Sequence, residues 1–300
     1  MSVQKQTGKG CLERVFIVGG TGNIGSRAVR NLIAKNIPVT LYARSPEKVN
    51  ALFSGHELVK TLQGDYDDLS PLKEGLKGHT RLFLLINDYV KFSQLKETIA
   101  TYAYEAGVKQ IVDISSLSVS FPWRSNLNGN MHRSGEEAIL NIPNRGYVVT
   151  LRPGRFMSNL TAFEFPHNDV VASSTDPDVP EGWISPNDIG DVAAIILTED
   201  IEKHKDAVYE LNGDVVTPAQ RTDILSRAVG RPFTYKKISA VEKYKINLDH
   251  MPHHMAFAIS TSLATINALI PNVTNGMEIL LERKPETLEQ YIFNNKDHFK

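Results

Sequence analysis

Three glycines, Gly19, Gly22 and Gly25, stand three residues apart between an apolar run that begins at Val15 and an amphipathic segment. In this arrangement the first glycine permits a tight turn, the second lets the backbone approach a pyrophosphate, and the third allows close helix–strand packing. The phosphates then meet backbone N–H groups at the positive end of the helix. The spacing therefore predicts a dinucleotide site, with contacts from Gly19, Thr21, Gly22, Asn23, Ile24 and Gly25.

The end of the second predicted strand indicates which dinucleotide fits. NAD requires an acidic residue about 20 residues beyond the loop, where it binds the ribose 2′-hydroxyl. This chain has Arg44 and Ser45 there instead, followed by Lys48. A guanidinium can bind a 2′-phosphate through two hydrogen bonds and stack on adenine, so these residues predict NADP(H) as the cofactor. In the alternative interpretation, Arg44 is a solvated charge and Ser45 only caps a helix that begins at Pro46.

Two more predicted strands end in polar residues. Asp65 follows the third strand and Asn87 follows the fourth. Ligands of doubly wound sheets lie beyond the carboxyl ends of the strands, so Asp65 could accept from the adenine amino group and Asn87 could contact ribose or phosphate. Asp65 and Asp68 could equally be turn and cap residues.

Elements that would position these side chains alternate through the first half of the chain. Short apolar runs interleave with amphipathic ones, which predicts β-α-β units and a parallel sheet. The predicted strands are Val15–Gly20, Pro38–Arg44, Leu58–Gly64, Arg81–Asn87, Gln110–Ser115 and Tyr147–Arg152. The predicted helices are Asn23–Lys35, Pro46–Phe53, Leu69–Leu76, Phe92–Ala106 and Met131–Asn141. We therefore expect an α/β fold with a Rossmann-type doubly wound parallel sheet.

The rhythm changes after about Pro153, where Pro and Asn become frequent and irregular stretches such as Ser173–Pro186 appear. In this part we predict helices from Asn187 or Asp188 to Leu197, from Thr217 onwards and at Lys284–Asn295, and strands at Ala207–Asn212 and Phe233–Ile238. We expect residues 1–12 to be a flexible leader, residues 13–153 to form the NAD(P)-binding Rossmann domain, and residues 154–300 to form a smaller C-terminal α/β lobe that binds the substrate.

The composition excludes several classes of protein. The 300 residues are 41% hydrophobic and 22% charged, with a formal charge of -1, so no overall positive field attracts nucleic acid or anionic lipid. The single cysteine, Cys11, cannot form an intramolecular disulfide, which favours a reducing compartment. No apolar run reaches the roughly 18 to 20 residues that cross a bilayer. We expect a cytoplasmic protein. Whether it forms a homo-oligomer is left open by the sequence.

Three histidines between His250 and His254 invite comparison with a metal site. No carboxylate or cysteine completes a recognisable ligand set beside His250, His253 and His254. We therefore predict no metal and interpret the segment as a polar helix entry or loop.

Several motifs in order along the chain resemble the NmrA-like family of atypical short-chain dehydrogenases/reductases. They are Gly-Gly-Thr-Gly-Asn-Ile-Gly at 19–25, Arg44-Ser-Pro-Glu-Lys48, Gly64-Asp65-Tyr-Asp-Asp68, Ala106-Gly-Val-Lys-Gln-Ile-Val, Ile114-Ser-Ser-Leu, Thr150-Leu-Arg-Pro-Gly154, Ile184-Ser-Pro-Asn-Asp-Ile-Gly-Asp191 and Lys284-Pro-Glu-Thr-Leu-Glu-Gln-Tyr. The resemblance implies a nucleotide-binding fold. Members of the family include NAD(P)H-dependent reductases of quinones, triphenylmethane dyes and other conjugated compounds, and also regulators without known chemistry.

The chain departs from the wider short-chain dehydrogenases at their Tyr-x-x-x-Lys pair, which protonates the substrate carbonyl. Asn128 stands at the tyrosine position and His132 at the lysine position. The pattern His132-x-x-x-Glu136 resembles the Lys/His-x-x-x-Glu variant of the atypical branch. His132 could donate to a ribose hydroxyl or protonate a substrate, and Ser115 and Tyr89 are further catalytic candidates. Each could also be purely structural.

Hydride transfer to a conjugated acceptor needs mainly orientation at the nicotinamide, so the missing tyrosine does not exclude reduction. Pro153 could approach the nicotinamide through its backbone. The residues that could line a pocket for a small-molecule substrate, or else pack the lobe, are Phe121, Trp123, Met131, Phe156 and Met157. We therefore predict an NADPH-dependent oxidoreductase that transfers hydride to a conjugated, quinone-like or imine-like acceptor. The alternative is a non-catalytic regulatory protein that senses NADP(H) and binds a protein partner.

Overall fold

A computed structural model of the chain describes residues 14–162, 164–269 and 273–300. The predicted leader at 1–12 and Cys11 lie outside the described residues. The strands are β1 (Val15–Val18), β2 (Val39–Ala43), β3 (Val59–Gln63), β4 (Arg81–Leu84), β5 (Gln110–Ile114), β6 (Tyr147–Pro153), β7 (Arg155–Phe156), β8 (Val170–Ser173), β9 (Glu181–Ile184), β10 (Val208–Leu211), β11 (Asp214–Val216) and β12 (Thr234–Lys237).

The helices separate most of these strands along the chain. They are α1 (Asn23–Ala34), α2 (Pro46–Phe53), α3 (Ser70–Gly75), α4 (Phe92–Glu105), α5 (Leu127–Leu140), α6 (Pro186–Ile196), α7 (Ile201–His204), α8 (Pro218–Val229), α9 (Ala240–Leu248), α10 (His253–Leu269), α11 (Asn275–Leu281) and α12 (Leu288–Asn294). Short 3₁₀ turns lie at Leu117–Ser120, Met157–Thr161 and Lys296–Phe299. No helix of the described residues is long and apolar enough to cross a membrane.

Seven strands form one large sheet in the order β10-β6-β5-β4-β1-β2-β3. β1 pairs in parallel with β2 on one side and with β4 on the other, so the strand order reverses beside β1. In doubly wound sheets the ligand lies at this reversal, beyond the carboxyl ends of the strands. All residues of β1, β4 and β5 are buried, as expected of parallel strands that are covered on both faces. The predicted fold class is confirmed.

The chain contacts divide the molecule into two compact units. The first unit contains the described residues up to Asp113 together with Glu137–Val149 and Ala193–Ala207. The second contains Ile114–Glu136, Thr150–Val192 and Val208–Lys300. Because the units alternate along the chain, neither is one continuous stretch, and the predicted division of roles near residue 153 stays a prediction.

Two small sheets lie in the second unit, with orders β11-β9-β7 and β12-β8. Their apolar residues join a hydrophobic cluster with the last helices. Members of this cluster include Met157, Leu160, Val171, Trp183, Leu225, Leu288, Ile292 and Phe299. The cluster gives this unit a core of its own.

Two predicted helices begin at other residues in the structure, for local reasons. The helix predicted from Met131 begins at Leu127, because the side chain of Asn126 accepts from the N–H of Gly129 and caps the first turn. The terminal helix begins only at Leu288, because Thr287 and Gln290 form a capping box. The stretch predicted to be irregular contains β9, and α9 to α11 were not predicted.

Candidate functional site

The loop between β1 and α1 requires glycine at two positions. Gly19 has a φ of +86°, and a Cβ there would lie 2.7 Å from the carbonyl oxygen of Leu85. A Cβ on Gly25 would lie 2.2 Å from the carbonyl oxygen of Gly19, so only glycine lets α1 pack this closely on the turn. The first and third glycines thus have the geometry that the sequence predicted for them.

The N-terminus of α1 is open. Its N-cap, Gly22, is exposed, and a Cβ built on it would meet only the carbonyl oxygen of Gly19, at 3.8 Å. No side chain caps this helix, and its first turn carries no acidic residue. The N–H groups at the start of a helix need an acceptor, and the helix dipole favours a negative one. This end of α1 therefore fits a phosphate group.

Side chains after β2 form the next part of the candidate site. Arg44 is exposed and Ser45 caps α2, because its Oγ accepts from the N–H of Lys48 at 3.1 Å. The same Ser45 hydroxyl donates to Oε2 of Glu47 at 2.9 Å. Hydrogen bonds from the Glu47 backbone and the Ser45 side chain lower the pKa of Glu47, so this carboxyl is ionised at neutral pH. A carboxylate thus stands among the residues predicted to bind a 2′-phosphate.

The loop after β3 brings a further aromatic group to this region. Asp65 is a turn residue, since its Oδ1 accepts from the N–H of Asp67 at 2.9 Å. Tyr66 is half-buried, and burial raises its pKa to about 12. The positive charge of Arg44 acts in the opposite direction and lowers that pKa. Asn87, after β4, is exposed.

Sequence reasoning did not single out Tyr66 or Glu47. Tyr66 directly follows Asp65, and an aromatic residue one position from a strand-end polar residue is the signal that could have identified it. Glu47 belongs to the motif Arg44-Ser-Pro-Glu-Lys48. Its contact with Ser45 depends on the side-chain rotamer of Glu47, which the spacing of residues in the sequence does not determine.

In the second unit, the hydroxyl of Ser115 is held by a buried carboxylate. Ser115 follows β5 and donates to Oε1 of Glu136 on α5. Arg152 of β6 binds the same carboxylate through two hydrogen bonds, Nε to Oε1 at 3.0 Å and Nη2 to Oε2 at 2.6 Å. The hydrogen bond with Glu136 raises the pKa of Arg152. Because the Ser115 proton is committed to Glu136, its oxygen is left to act as an acceptor.

Asn128 forms hydrogen bonds with the serines that follow β5. Its side-chain amide donates to the hydroxyls of Ser116, at 3.1 Å, and Ser118, at 2.9 Å. His132 lies one helical turn further along α5 and is partly exposed. Asn128 and His132 stand at the positions of the missing Tyr-x-x-x-Lys pair. Residues four apart lie one above the other on a helix, so both side chains are on one face of α5.

The residues predicted to line an acceptor pocket have different environments. Trp123 is 70% exposed, whereas Met157 is fully buried in the hydrophobic cluster of the second unit. Phe121 and Pro153 are buried, and Met131 and Phe156 are half-buried. Tyr89 belongs to the first unit and is exposed. Their roles at an acceptor stay predictions.

The described residues contain no group of three or more His, Cys, Asp or Glu side chains arranged to hold a metal ion. His253 begins α10, and its Nδ1 lies 2.8 Å from the hydroxyl of Tyr244.

The strand order and the glycine loop define a Rossmann-type α/β protein. The chain belongs to the NmrA-like family, because the family model matches residues 12–292. The family resemblance of the sequence motifs is thereby confirmed. A relative in Streptomyces griseus, a (4-alkanoyl-5-oxo-2,5-dihydrofuran-3-yl)methyl phosphate reductase, is 30% identical over 227 residues, which are 75% of this chain and 77% of the relative.

Two solved structures share the fold. The NADPH-dependent quinone oxidoreductase of Escherichia coli, solved with NADPH, superposes with a TM-score of 0.78 at 22% identity, covering 94% of this chain and 99% of that one. The negative transcriptional regulator NmrA, solved with NADP, superposes with a TM-score of 0.76 at 17% identity, covering 94% of each chain. At these identities the likeness shows the fold alone, and the fold is shared by enzymes and a regulator.

Proposed function

We propose that this protein is an NADPH-dependent reductase of the atypical short-chain dehydrogenase/reductase type, which transfers hydride to a small conjugated acceptor. The observation that carries the proposal is the open, uncapped and acid-free start of α1 behind a loop that only glycine can form. The reductase relative in Streptomyces griseus and the NADPH-bound quinone oxidoreductase fold support it.

The first unit supplies the residues that would hold the nucleotide. The N–H groups that follow Gly22 would bind the pyrophosphate, and Arg44 would bind the 2′-phosphate. Tyr66 and the Arg44 guanidinium offer flat surfaces suited to adenine. When bound, NADPH supplies a hydride from its nicotinamide ring. The chain's task is then to hold the acceptor in line and to exclude water.

In the second unit, Ser115 and His132 are the proposed polar contacts of the acceptor and the cofactor ribose. With its proton directed at Glu136, Ser115 accepts a hydrogen bond rather than donating one. Proton donation then falls to His132 or to water. A conjugated or imine-like acceptor needs only modest acid assistance, which suits a site without a tyrosine–lysine pair. The proposed apolar contacts are Phe121, Trp123, Met131, Phe156 and Met157.

The experiment is a calorimetric titration of NADPH and NADH, followed by NADPH oxidation over a panel of quinones, azo dyes, enones and imines. Wild type, His132→Ala and Arg44→Glu are compared, with Arg30→Glu as a control for a charge change elsewhere in the first unit. We expect turnover with at least one conjugated acceptor, loss of it in Arg44→Glu, and no loss in Arg30→Glu. Binding without turnover by any acceptor would exclude the reductase.

A specific observation favours a second candidate, an NADP(H)-sensing regulator. Asn128 stands at the position of the tyrosine. Its side-chain amide donates to the hydroxyls of Ser116 and Ser118, so these two hydrogen bonds are not available to a substrate. The superposition on a transcriptional regulator is consistent with this reading. A regulator would bind NADP(H), oxidise none of it with any acceptor, and bind a protein partner with an affinity that depends on the nucleotide.

A further inference from the structure

An ion pair joins the loops that follow β3 and β4. The Nζ of Lys91 lies 3.0 Å from Oδ1 of Asp67. Lys91 ends the β4 loop, residues 85–91, and Asp67 belongs to the β3 loop, residues 64–69. In the sheet order β4-β1-β2-β3, two strands stand between the strands that carry these loops. Neighbouring strands lie about 4.8 Å apart, so the pair spans a gap of about 14 Å at the carboxyl ends of β1 and β2.

Both loops border the residues assigned to the nucleotide. A Cβ on Gly19 would lie 2.7 Å from the carbonyl oxygen of Leu85, so the β4 loop begins against the glycine loop. The N–H of Gly64 donates to the carbonyl oxygen of Ala43 at 3.2 Å, so the β3 loop begins beside Arg44, the next residue. The crevice that would hold the nucleotide thus lies between two walls that the ion pair joins.

Aspartate side chains stiffen each wall. In the β3 loop, Oδ1 of Asp65 accepts from the N–H of Asp67 at 2.9 Å. In the β4 loop, Oδ1 of Asp88 accepts from the N–H groups of Val90 and Lys91, both at 2.9 Å. Such turns fix the backbone from which the two charged side chains project. The loops can therefore separate by breaking the ion pair, without a change in either turn.

The ion pair is weak enough to open. The side chains of Lys91 and Asp67 are 46% and 86% exposed, and water competes for ion pairs at this exposure. A second exposed pair, Lys73 of α3 with Glu105 of α4 at 3.4 Å, also joins the segments that follow β3 and β4. Because α4 is 14 residues long, Glu105 lies about 20 Å from Lys91, away from the carboxyl ends of the strands. This second pair is a matched control.

We propose that the Lys91–Asp67 ion pair is a gate of the nucleotide crevice, which NADP(H) must open both to enter and to leave. The pair uses neither the glycine loop nor Arg44, so it forms in the free and in the nucleotide-bound protein alike. It therefore slows association and dissociation by the same factor and leaves the equilibrium affinity unchanged. The gate sets the rate of cofactor exchange, whether the chain reduces an acceptor or only senses NADP(H).

The test follows NADPH binding by rapid mixing, with nucleotide fluorescence as the signal, and measures release by displacement with excess NADP⁺. Wild type is compared with Lys91→Met, Asp67→Asn and the control Lys73→Met. Because an exposed ion pair is weak, we expect association and release to be about two- to fivefold faster in both gate variants, with Kd unchanged. Lys73→Met should keep the wild-type rates.

Reversing the pair separates a gate from a direct contact with the nucleotide. Lys91→Glu should speed exchange, because it sets a like charge against Asp67, and the further change Asp67→Lys should restore the wild-type rates. Faster release with a weaker Kd in Lys91→Met would show that Lys91 holds the nucleotide itself and would reject the gate. NADPH binding with unchanged rates in both gate variants would overturn the gate alone, whereas no NADPH binding by wild type would overturn the gate and the cofactor assignment together.

Discussion

The hydroxyl of Ser45 donates to the carboxylate of Glu47 at 2.9 Å, beside the exposed Arg44. This places an acid and a base next to each other at the position that separates NADP from NAD in Rossmann-type proteins. A 2′-phosphate that binds Arg44 must take the Ser45 hydroxyl from Glu47 or leave the two in contact. Glu47 therefore opposes the preference that Arg44 creates.

Glu47→Gln should strengthen NADPH binding while NADH binding stays nearly constant. The amide removes the negative charge but can still accept from Ser45, so the cap of α2 is retained. Because the carboxylate is exposed, screening keeps the effect small, about two- to fivefold. Calorimetric titration of both nucleotides measures it, with Glu57→Gln as the control. A ratio of affinities that does not move would show that Glu47 turns away when nucleotide binds.

Alanine at Gly25 should mainly lower the stability of the fold, whereas alanine at Gly22 should mainly weaken NADPH binding. Gly25→Ala places a methyl 2.2 Å from a carbonyl oxygen and should lower the free energy of unfolding by about 3 kcal/mol. Gly22→Ala places its methyl 3.8 Å from the carbonyl oxygen of Gly19, an ordinary van der Waals contact, and should cost no more than about 0.5 kcal/mol. It should nevertheless weaken NADPH binding about tenfold, since the methyl stands where the pyrophosphate approaches. Urea denaturation and calorimetry separate the two effects; matching stability losses would refute the assignment of the glycines.

Glu136→Gln should destabilise the second unit. The change removes the charge that receives two hydrogen bonds from Arg152, and it leaves that guanidinium without its counterion. Hydrogen bonds to charged groups contribute about 1.5–3 kcal/mol, so we expect a loss of about 2 kcal/mol in urea denaturation. The neighbouring exposed acid gives the control, Glu137→Gln, which should be silent. A silent Glu136→Gln would show that Arg152 is held by its surroundings instead.

His79 should make the protein less stable in weak acid. Its Nδ1 donates to the carbonyl of Leu76, and its Nε2 lies 2.9 Å from the hydroxyl oxygen of Thr40. Burial lowers the pKa of His79 below its ordinary value of about 6.5. As the pH falls through that value the unfolded chain takes up the proton first, and the free energy of unfolding decreases.

The measurement is urea denaturation at about pH 7.5 and about pH 5.5. His79→Gln should lose less stability between these pH values than wild type, whereas the exposed control His56→Gln should keep the wild-type slope. An unchanged slope in His79→Gln would mean that His79 does not contribute to acid sensitivity.

The first half of the fold was predictable because its signals are local. β1 is a fully buried apolar run, and Ile24, Ala28 and Leu32 of α1 repeat at helical spacing and are buried. Gly25 could be assigned because the atoms that exclude a Cβ there belong to Gly19 and Gly20, a few residues earlier in the sequence. In each case neighbouring residues decide the conformation.

The second unit was harder to predict because its interactions are distant in the chain. Arg155 meets Glu181, and Arg221 reaches back 40 residues to the same carboxylate. α9 and α10 lack the alternation with strands that identified the earlier helices.

NADPH binding by wild type and Arg44→Glu tests the central claim most directly. Isothermal titration should give one nucleotide per chain for wild type, with NADPH bound more tightly than NADH. Arg44→Glu replaces charge-assisted hydrogen bonds worth about 1.5–3 kcal/mol each with a repulsive carboxylate, so NADPH should bind at least about 100-fold more weakly and NADH much less so. Absence of NADPH binding by wild type, or equal losses for both nucleotides in Arg44→Glu, would contradict the account.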